Sequence, residues 1–153
     1  MSDELVFMMG TAEARFPTDR GYARNHMWLL PDPVSPDLHR VGLTEYSVRL
    51  LRDVYFLDWS IDPGTPVATK QEIGEIESSK ALSSLYVPFP GEVVAFNEAL
   101  LQDPSAINTF PYGDGWLFSL RTDSELLTPQ EYLDHVNAGW KDAQHLIKKQ
   151  MNE

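Results

Sequence analysis

The sequence predicts a mainly β protein of two small packed sheets, with one short helix and a C-terminal helix. Three observations predict it. Runs of four to seven residues, rich in β-branched and aromatic side chains, recur along the chain at ordinary strand length. Eleven prolines and nine glycines punctuate those runs, as suits a loop-rich β protein. A sustained helical stripe of apolar residues follows Thr128 and reaches the C-terminal end. With 153 residues and 42% hydrophobic content, the chain can bury one core of ordinary size, so a single domain (1–153) is expected. Within it, 1–21 reads as an N-terminal extension, 22–127 as the core and 128–150 as the C-terminal helix.

Taken in order, Leu5 to Met9 and His26 to Leu30 read as strands, and Thr44 is placed to cap a short helix through Leu51. Strands are then expected over Asp53 to Trp59, Pro66 to Thr69, Glu72 to Glu77, Ser84 to Val87, Gly91 to Asn97 and Trp116 to Arg121. Thr128-Pro129-Gln130-Glu131 combines an N-cap, proline at the first helical position and glutamate three residues after the cap. From there Leu133, Val136, Trp140, Ala143 and Ile147 form one apolar stripe that reaches Lys149, with Gly139 as a weak point. Lys141, Lys148 and Lys149 suit the negative end of the helix dipole. The stripe is expected to pack on its own domain.

Lys80 is the residue that points to chemistry. It lies in Gly74-Glu75-Ile76-Glu77-Ser78-Ser79-Lys80-Ala81-Leu82, among small polar residues between two strand-like segments. Downstream, Leu82, Leu85 and Val87 lead into Pro88-Phe89-Pro90-Gly91, a strong turn signal. Two strands joined through Ser78 to Ala81 would place the lysine at a hairpin tip. A lysine there is either an ordinary solvated turn residue or the anchor of a carried group.

The surrounding blocks resemble the H protein of the glycine cleavage system along roughly Tyr22 to Val136. Tyr22-Ala23-Arg24-Asn25-His26-Met27-Trp28 resembles the family's Tyr...His-Glu-Trp, and Val41-Gly42-Leu43-Thr44-Glu45-Tyr46 its Val-Gly-Ile-Thr segment. Glu77-Ser78-Ser79-Lys80-Ala81 matches Glu-Ser-Val-Lys-Ala, and Tyr86 to Val94 matches Pro-x-x-Gly-Glu-Val. After Asn97-Glu98-Ala99-Leu100 and Pro104, the segment Ile107 to Leu117 follows Asn-x-x-Pro-Tyr-x-x-Gly-Trp. Their shared order and spacing make the resemblance specific.

That resemblance implies a lipoyl-domain-like barrel sandwich hybrid, with 22–127 as its lipoyl-type core. Pro63-Gly64-Thr65-Pro66-Val67 faintly echoes Pro88-Phe89-Pro90-Gly91-Glu92-Val93, which is compatible with the two-fold pseudosymmetry of that fold. It further implies lipoate in amide linkage to Lys80, on a flexible chain extending roughly 14 Å. Biotinyl lysines are typically bracketed by methionines, whereas Lys80 has Ser79 and Ala81, so lipoate is favoured. Glu77, Ser78, Ser79 and Ala81 would serve hairpin recognition by the lipoate-attaching enzyme.

By the same resemblance the protein is a non-catalytic carrier. It would shuttle the aminomethyl group of glycine from the pyridoxal-phosphate glycine decarboxylase to the folate-dependent aminomethyltransferase, with dihydrolipoyl dehydrogenase reoxidising the arm. The resemblance places the arm cleft at Asn25, Met27 and Ser84. The family's glutamate of His-Glu-Trp and the aspartate four residues after its lysine are replaced here by Met27 and Ser84. An H-like carrier for another cargo, in lipoate-dependent sulfur oxidation or lipoate relay, therefore stays open, as does a module that needs no lipoate. Arg52 stands where the family usually has glycine, which implies a slightly different turn, and the C-terminal helix runs beyond the family's usual end.

Composition narrows the remaining classes. A formal net charge of −11, from 23 acidic and 12 basic side chains, argues against nucleic-acid or anionic-membrane partners. Partners with basic docking rims are expected. The chain has no cysteine, so disulfides, a thiol nucleophile and thiolate metal sites are excluded. His26, His39, His135 and His145 lack metal-ligand spacing, so neither zinc nor iron is expected, and no catalytic pair is evident. The apolar run at Leu5 to Met9 stops at Gly10 and lacks a basic leader, so a cytoplasmic monomer is expected.

Overall fold

The computed structural model describes residues 3–151, with side chains described through Lys141. Its strands are β1 (Glu4–Met9), β2 (Ala12–Pro17), β3 (Gly21–Tyr22), β4 (Met27–Pro31), β5 (Leu38–Leu43), β6 (Val54–Trp59), β7 (Thr65–Val67), β8 (Glu72–Ser78), β9 (Leu82–Tyr86), β10 (Gly91–Phe96) and β11 (Phe118–Arg121). Helices α1 (Glu45–Leu51), α2 (Ala99–Gln102), α3 (Ala106–Thr109) and α4 (Pro129–Met151) complete it.

Six strands form one sheet in the order β3-β4-β5-β11-β10-β7, and β6-β8-β9 form a second of three strands. The main core lies between these sheets. Leu29, Val41, Val93 and Leu120 from the larger sheet meet Val54, Leu57, Ile73 and Ile76 from the smaller in one buried cluster. The two segments that echo each other in sequence are paired directly, with Gly91 opposite Val67 and Val93 opposite Thr65.

The structure contains strands that local pattern does not announce. β2, β3 and β5 were not expected, and β9 begins at Leu82 rather than Ser84. β5 carries His39, Arg40 and Gly42, which dilute a strand signal, yet it occupies the middle of the six-stranded sheet. Gly42 has a packing reason: a Cβ there would stand 2.6 Å from the Trp28 ring. The indole occupies the space beside that backbone and donates from Nε1 to the Pro111 carbonyl at 3.0 Å.

A third, two-stranded sheet, β1-β2, was likewise unexpected. It builds a second core with α1 and α4, containing Phe7, Phe16, Tyr22, Trp28, Tyr46 and Tyr132. Tyr132 is fully buried, stacked on Tyr22 at 4.7 Å and met edge-on by Phe16 at 4.8 Å. Leu133, Val136 and Trp140 pack into the same cluster, so the α4 stripe covers its own domain. Ala143, Ile147, Lys148 and Lys149, with His145, lie outside the residues whose side chains are described.

Both expected caps form. The Thr44 hydroxyl accepts from the Ser47 amide at 3.5 Å to open α1. At the start of α4 the Glu131 amide donates to Thr128 Oγ1 at 3.1 Å while Glu131 Oε1 accepts from the Thr128 amide at 2.9 Å, a reciprocal capping box. After α1 the expectation of a different turn at Arg52 is overturned. Arg52 takes φ 65° and ψ −143°, a conformation natural to glycine. The turn keeps the backbone path that glycine would supply and imposes it on an arginine.

Candidate functional site

The site is built on the β8-β9 hairpin, where Glu77 pairs with Leu82 and Ile76 with Ser83. Its turn is closed by the Ser78 amide donating to the Ala81 carbonyl at 2.9 Å. The buried Ser78 hydroxyl accepts from the amides of Lys80 and Ala81, each at 3.3 Å. From behind, the Ser79 amide donates to the Asp53 carbonyl at 2.8 Å, fastening the tip to the turn before β6. Those bonds satisfy the turn from within and leave the Lys80 side chain exposed, because nothing in the turn needs it.

A cleft of about 350 Å³ opens beside the tip. Met27, Leu43, Ile76 and Leu85 come from the sheets, while Ser47, Leu50 and Leu51 come from α1. Lys80, Ala81, Ser83 and Ser84 form the hairpin side. The sequence-predicted Asn25, Met27, Ser84 and Lys80 are thus brought to one cavity. Leu50 and Leu51 were missed as its wall, although an apolar pair at the end of a short helix is a usable signal.

Among the described residues no aspartate or glutamate lines the cleft. Met27 is buried, 2% exposed, so its thioether closes the inner end. The Asn25 amide donates to Met27 Sδ at 3.6 Å and to the Tyr86 carbonyl at 3.1 Å. Asn25 and Tyr86 thereby partition the cleft from a second cavity of about 490 Å³ lined in part by Arg24, Lys70, Phe89 and Glu125. The Lys80 cleft suits an apolar chain tethered at the lysine, with hydrogen-bonding groups but no anion at its far end.

Glu77 does not enter the cleft. It is half-buried, with its Oε1 accepting from the Tyr55 hydroxyl at 3.2 Å across the sheet. Ser79 and Ala81 are exposed in the turn, whereas Ser78 is buried as its support. The recognition residues expected from sequence therefore divide into an outward group and one internal brace.

Next to the cleft, His26 has φ 68° and its Nδ1 lies 3.0 Å from the Tyr132 hydroxyl. That hydroxyl is 2.8 Å from Thr44 Oγ1, the α1 cap. His135 stacks on His26 at 5.5 Å and uses Nε2 against the Arg24 carbonyl at 2.9 Å. Burial first, then the neighbouring His135, lowers the His26 pKa to about 4. Burial likewise raises the phenol pKa of Tyr132, so the His26–Tyr132 pair is neutral at pH 7. Its role is to join α4 to the start of α1, and only the docking of α4 assembles it. Among the described residues no cluster of three histidine, aspartate or glutamate side chains could hold a metal, and no helix is long and apolar enough to cross a membrane.

Comparisons with known proteins agree on one relationship. A family model described as glycine cleavage H-protein matches residues 20–140. The probable glycine cleavage system H protein of Natronomonas pharaonis is 41% identical over 120 residues, covering 76% of this chain and 92% of that protein. The glycine cleavage system H protein of Psychrobacter cryohalolentis is 40% identical over 124 residues, covering 78% and 96%. Among solved structures, the glycine cleavage system H protein of Mycobacterium marinum superposes with a TM-score of 0.69 at 38% identity, covering 80% of this chain and 99% of that one.

Proposed function

This chain belongs to the glycine cleavage H-protein family, and from that premise we propose that it is the lipoyl carrier of a glycine cleavage system, modified at Lys80. The observation that carries the reading is an exposed lysine on an internally satisfied hairpin turn, with an apolar cleft opening beside it. Its partners are the glycine decarboxylase, the aminomethyltransferase, dihydrolipoyl dehydrogenase and the enzyme that attaches lipoate. It works as a carrier subunit, positioning a group whose chemistry belongs to the cofactor.

Lipoate supplies a disulfide ring that opens on reduction or group transfer and closes on oxidation. The chain's own residues supply position. Lys80 Nζ provides the amide nitrogen, and the Ser78 and Asp53 contacts hold the turn so that the lysine projects outward. Leu43, Leu50, Ile76 and Leu85 offer an apolar bed that excludes water from a tethered hydrocarbon chain. Asn25, Ser47 and Ser83 offer neutral hydrogen-bonding groups at its margin.

The cleft fits the arm better than it fits a charged cargo. An ammonium drawn from water into an apolar site needs a paired anion, and among the described residues no carboxylate lines this one. Retention of the aminomethyl-bearing arm therefore relies on apolar contact and neutral hydrogen bonds. The same observation favours a second reading, an H-like carrier that moves an uncharged cargo on the same arm.

Protein lipoylated at Lys80, confirmed by intact mass beside Lys80→Arg, is offered to glycine decarboxylase with labelled glycine. Label transfer at a rate near that of an ordinary H protein is expected. Complete lipoylation with no transfer would overturn the glycine cleavage assignment in favour of the second reading, and no mass gain at all would overturn the carrier reading.

A further inference from the structure

We propose that the outer face of the β6-β8-β9 sheet is the docking surface for the lipoate-attaching enzyme, which meets it with basic side chains set around an apolar socket. The inference rests on the carrier reading. Side chains directly opposite in a ladder share one face of the sheet. Phe56, Glu77 and Leu82 form one such row, and Asp58, Glu75 and Ser84 form the row beyond it. The intervening Leu57 and Ile76 are buried in the core. The face left outward is both apolar and acidic.

Phe56 is 47% exposed and Leu82 61%, flanking Glu77, while Tyr55 is 57% exposed and donates to the Glu77 carboxylate. Large apolar side chains gathered around a functional residue mark an interaction surface more than scattered ones do. Asp58, Glu75 and Glu77 make no salt bridge among the described residues, where the three ion pairs all lie elsewhere. Their charge selects a basic partner, and the Tyr55 hydroxyl fixes where the Glu77 carboxylate points.

Reach identifies which partner. An unmodified lysine extends only about 6 Å from its Cα, so the attaching enzyme must bring its own centre to the tip and press its surface against whatever adjoins it. Leu82 is two residues beyond Lys80, and Phe56 stands across the ladder from Glu77. Enzymes served by the completed arm, roughly 14 Å in all, can stand away from this face. In the attachment step Lys80 Nζ, deprotonated, attacks the carbonyl of lipoyl-adenylate. The new amide forms as adenylate leaves, and the ammonium has given up two protons in all.

The test uses the full chain, unlipoylated, as substrate for an ATP-dependent lipoate ligase, with products read by intact mass. Phe56→Ser with Leu82→Ser is expected to raise KM for the carrier about tenfold with kcat nearly unchanged. Asp58→Lys with Glu75→Lys is expected to raise KM at low salt and to flatten its salt dependence. A thermal melt within a few degrees of wild type shows that each variant is folded. Once driven to complete lipoylation by excess ligase, the variants should be loaded by glycine decarboxylase like wild type. Unchanged KM in folded variants would overturn the proposal. So would normal attachment with impaired loading, which assigns the face to the decarboxylase, or loss of a wild-type dimer, which assigns it to a second copy. Failure of the wild-type chain to gain lipoate would instead overturn the carrier reading itself.

Discussion

The turn between α1 and β6 offers the sharpest energetic test, because strain and its restraint are both visible there. Arg52 holds φ 65° and ψ −143°, and a non-glycine residue in such a region costs on the order of 1–3 kcal/mol. Asn108 in α3 clamps both sides of it: its Oδ1 accepts from the Val54 amide at 2.9 Å, and its Nδ2 donates to the Arg52 carbonyl at 2.7 Å. Arg52→Gly relieves the strain but adds roughly 0.5–1 kcal/mol of unfolded-chain entropy. A net gain of about 1 kcal/mol is expected, which raises Tm by about 2–4 °C for a chain this size. Asn108→Ala removes two hydrogen bonds and strands the Val54 amide in a residue 6% exposed, a loss of about 3 kcal/mol. Thermal and urea unfolding of both single variants and the double variant measure this. In the double variant the loss should shrink, since a relaxed turn needs less clamping. A destabilising Arg52→Gly, or a neutral Asn108→Ala, would refute the reasoning. The clamp bears on function because Asp53, inside this turn, accepts the Ser79 amide that fastens the Lys80 tip.

Three further outcomes are expected. His26 titrates near 4 in the folded chain because of burial and then His135, below an ordinary value of about 6.5. The unfolded chain therefore binds the extra proton first, and stability falls as pH drops from about 6.5 toward 4, by about 2 kcal/mol at pH 5 from this group. Urea midpoints from pH 7 to 4.5 should show a smaller drop in His26→Asn than in wild type, asparagine being tolerant of the left-handed backbone, and equal slopes would contradict the assignment. In the cleft, Ser83→Asp adds a carboxylate at a half-buried position opposite the inward-facing Ile76 and should prolong retention of labelled aminomethyl on the lipoylated carrier. Met27→Glu places one at a residue 2% exposed and should cost about 3 kcal/mol in unfolding free energy; equal stability for the two variants would show that the inner cleft is wetter than its lining indicates.

Features that were legible in the sequence are those whose cause is local. The turn chemistry around Ser78 to Ala81, the Thr44 cap and the Thr128–Glu131 capping box each involve groups within three or four residues, and all of them form. Blocks around Lys80 likewise carried the family relationship. β5 was illegible because its strand character depends on neighbours: His39, Arg40 and Gly42 make sense only between β4 and β11, with Trp28 lying over the glycine. Arg52 was misread because side-chain identity suggested a changed turn, whereas Asn108, 56 residues away in sequence, holds the backbone in place.

Turn preference and helical periodicity act over short spans, so the lysine on a small polar hairpin and the capped amphipathic helix at the C-terminal end follow from local residues alone. Tertiary structure alone decided what surrounds that lysine. It brought Leu50 and Leu51 of α1 against Met27 and Leu85 to make an acid-free cleft, and packed β1, β2 and α4 around Tyr132. It also aligned Phe56, Glu77 and Leu82 in one row on the outer face of the small sheet. Each of these depends on strand register and on which apolar surfaces meet, quantities fixed by burial of the whole core and not by any local run of residues.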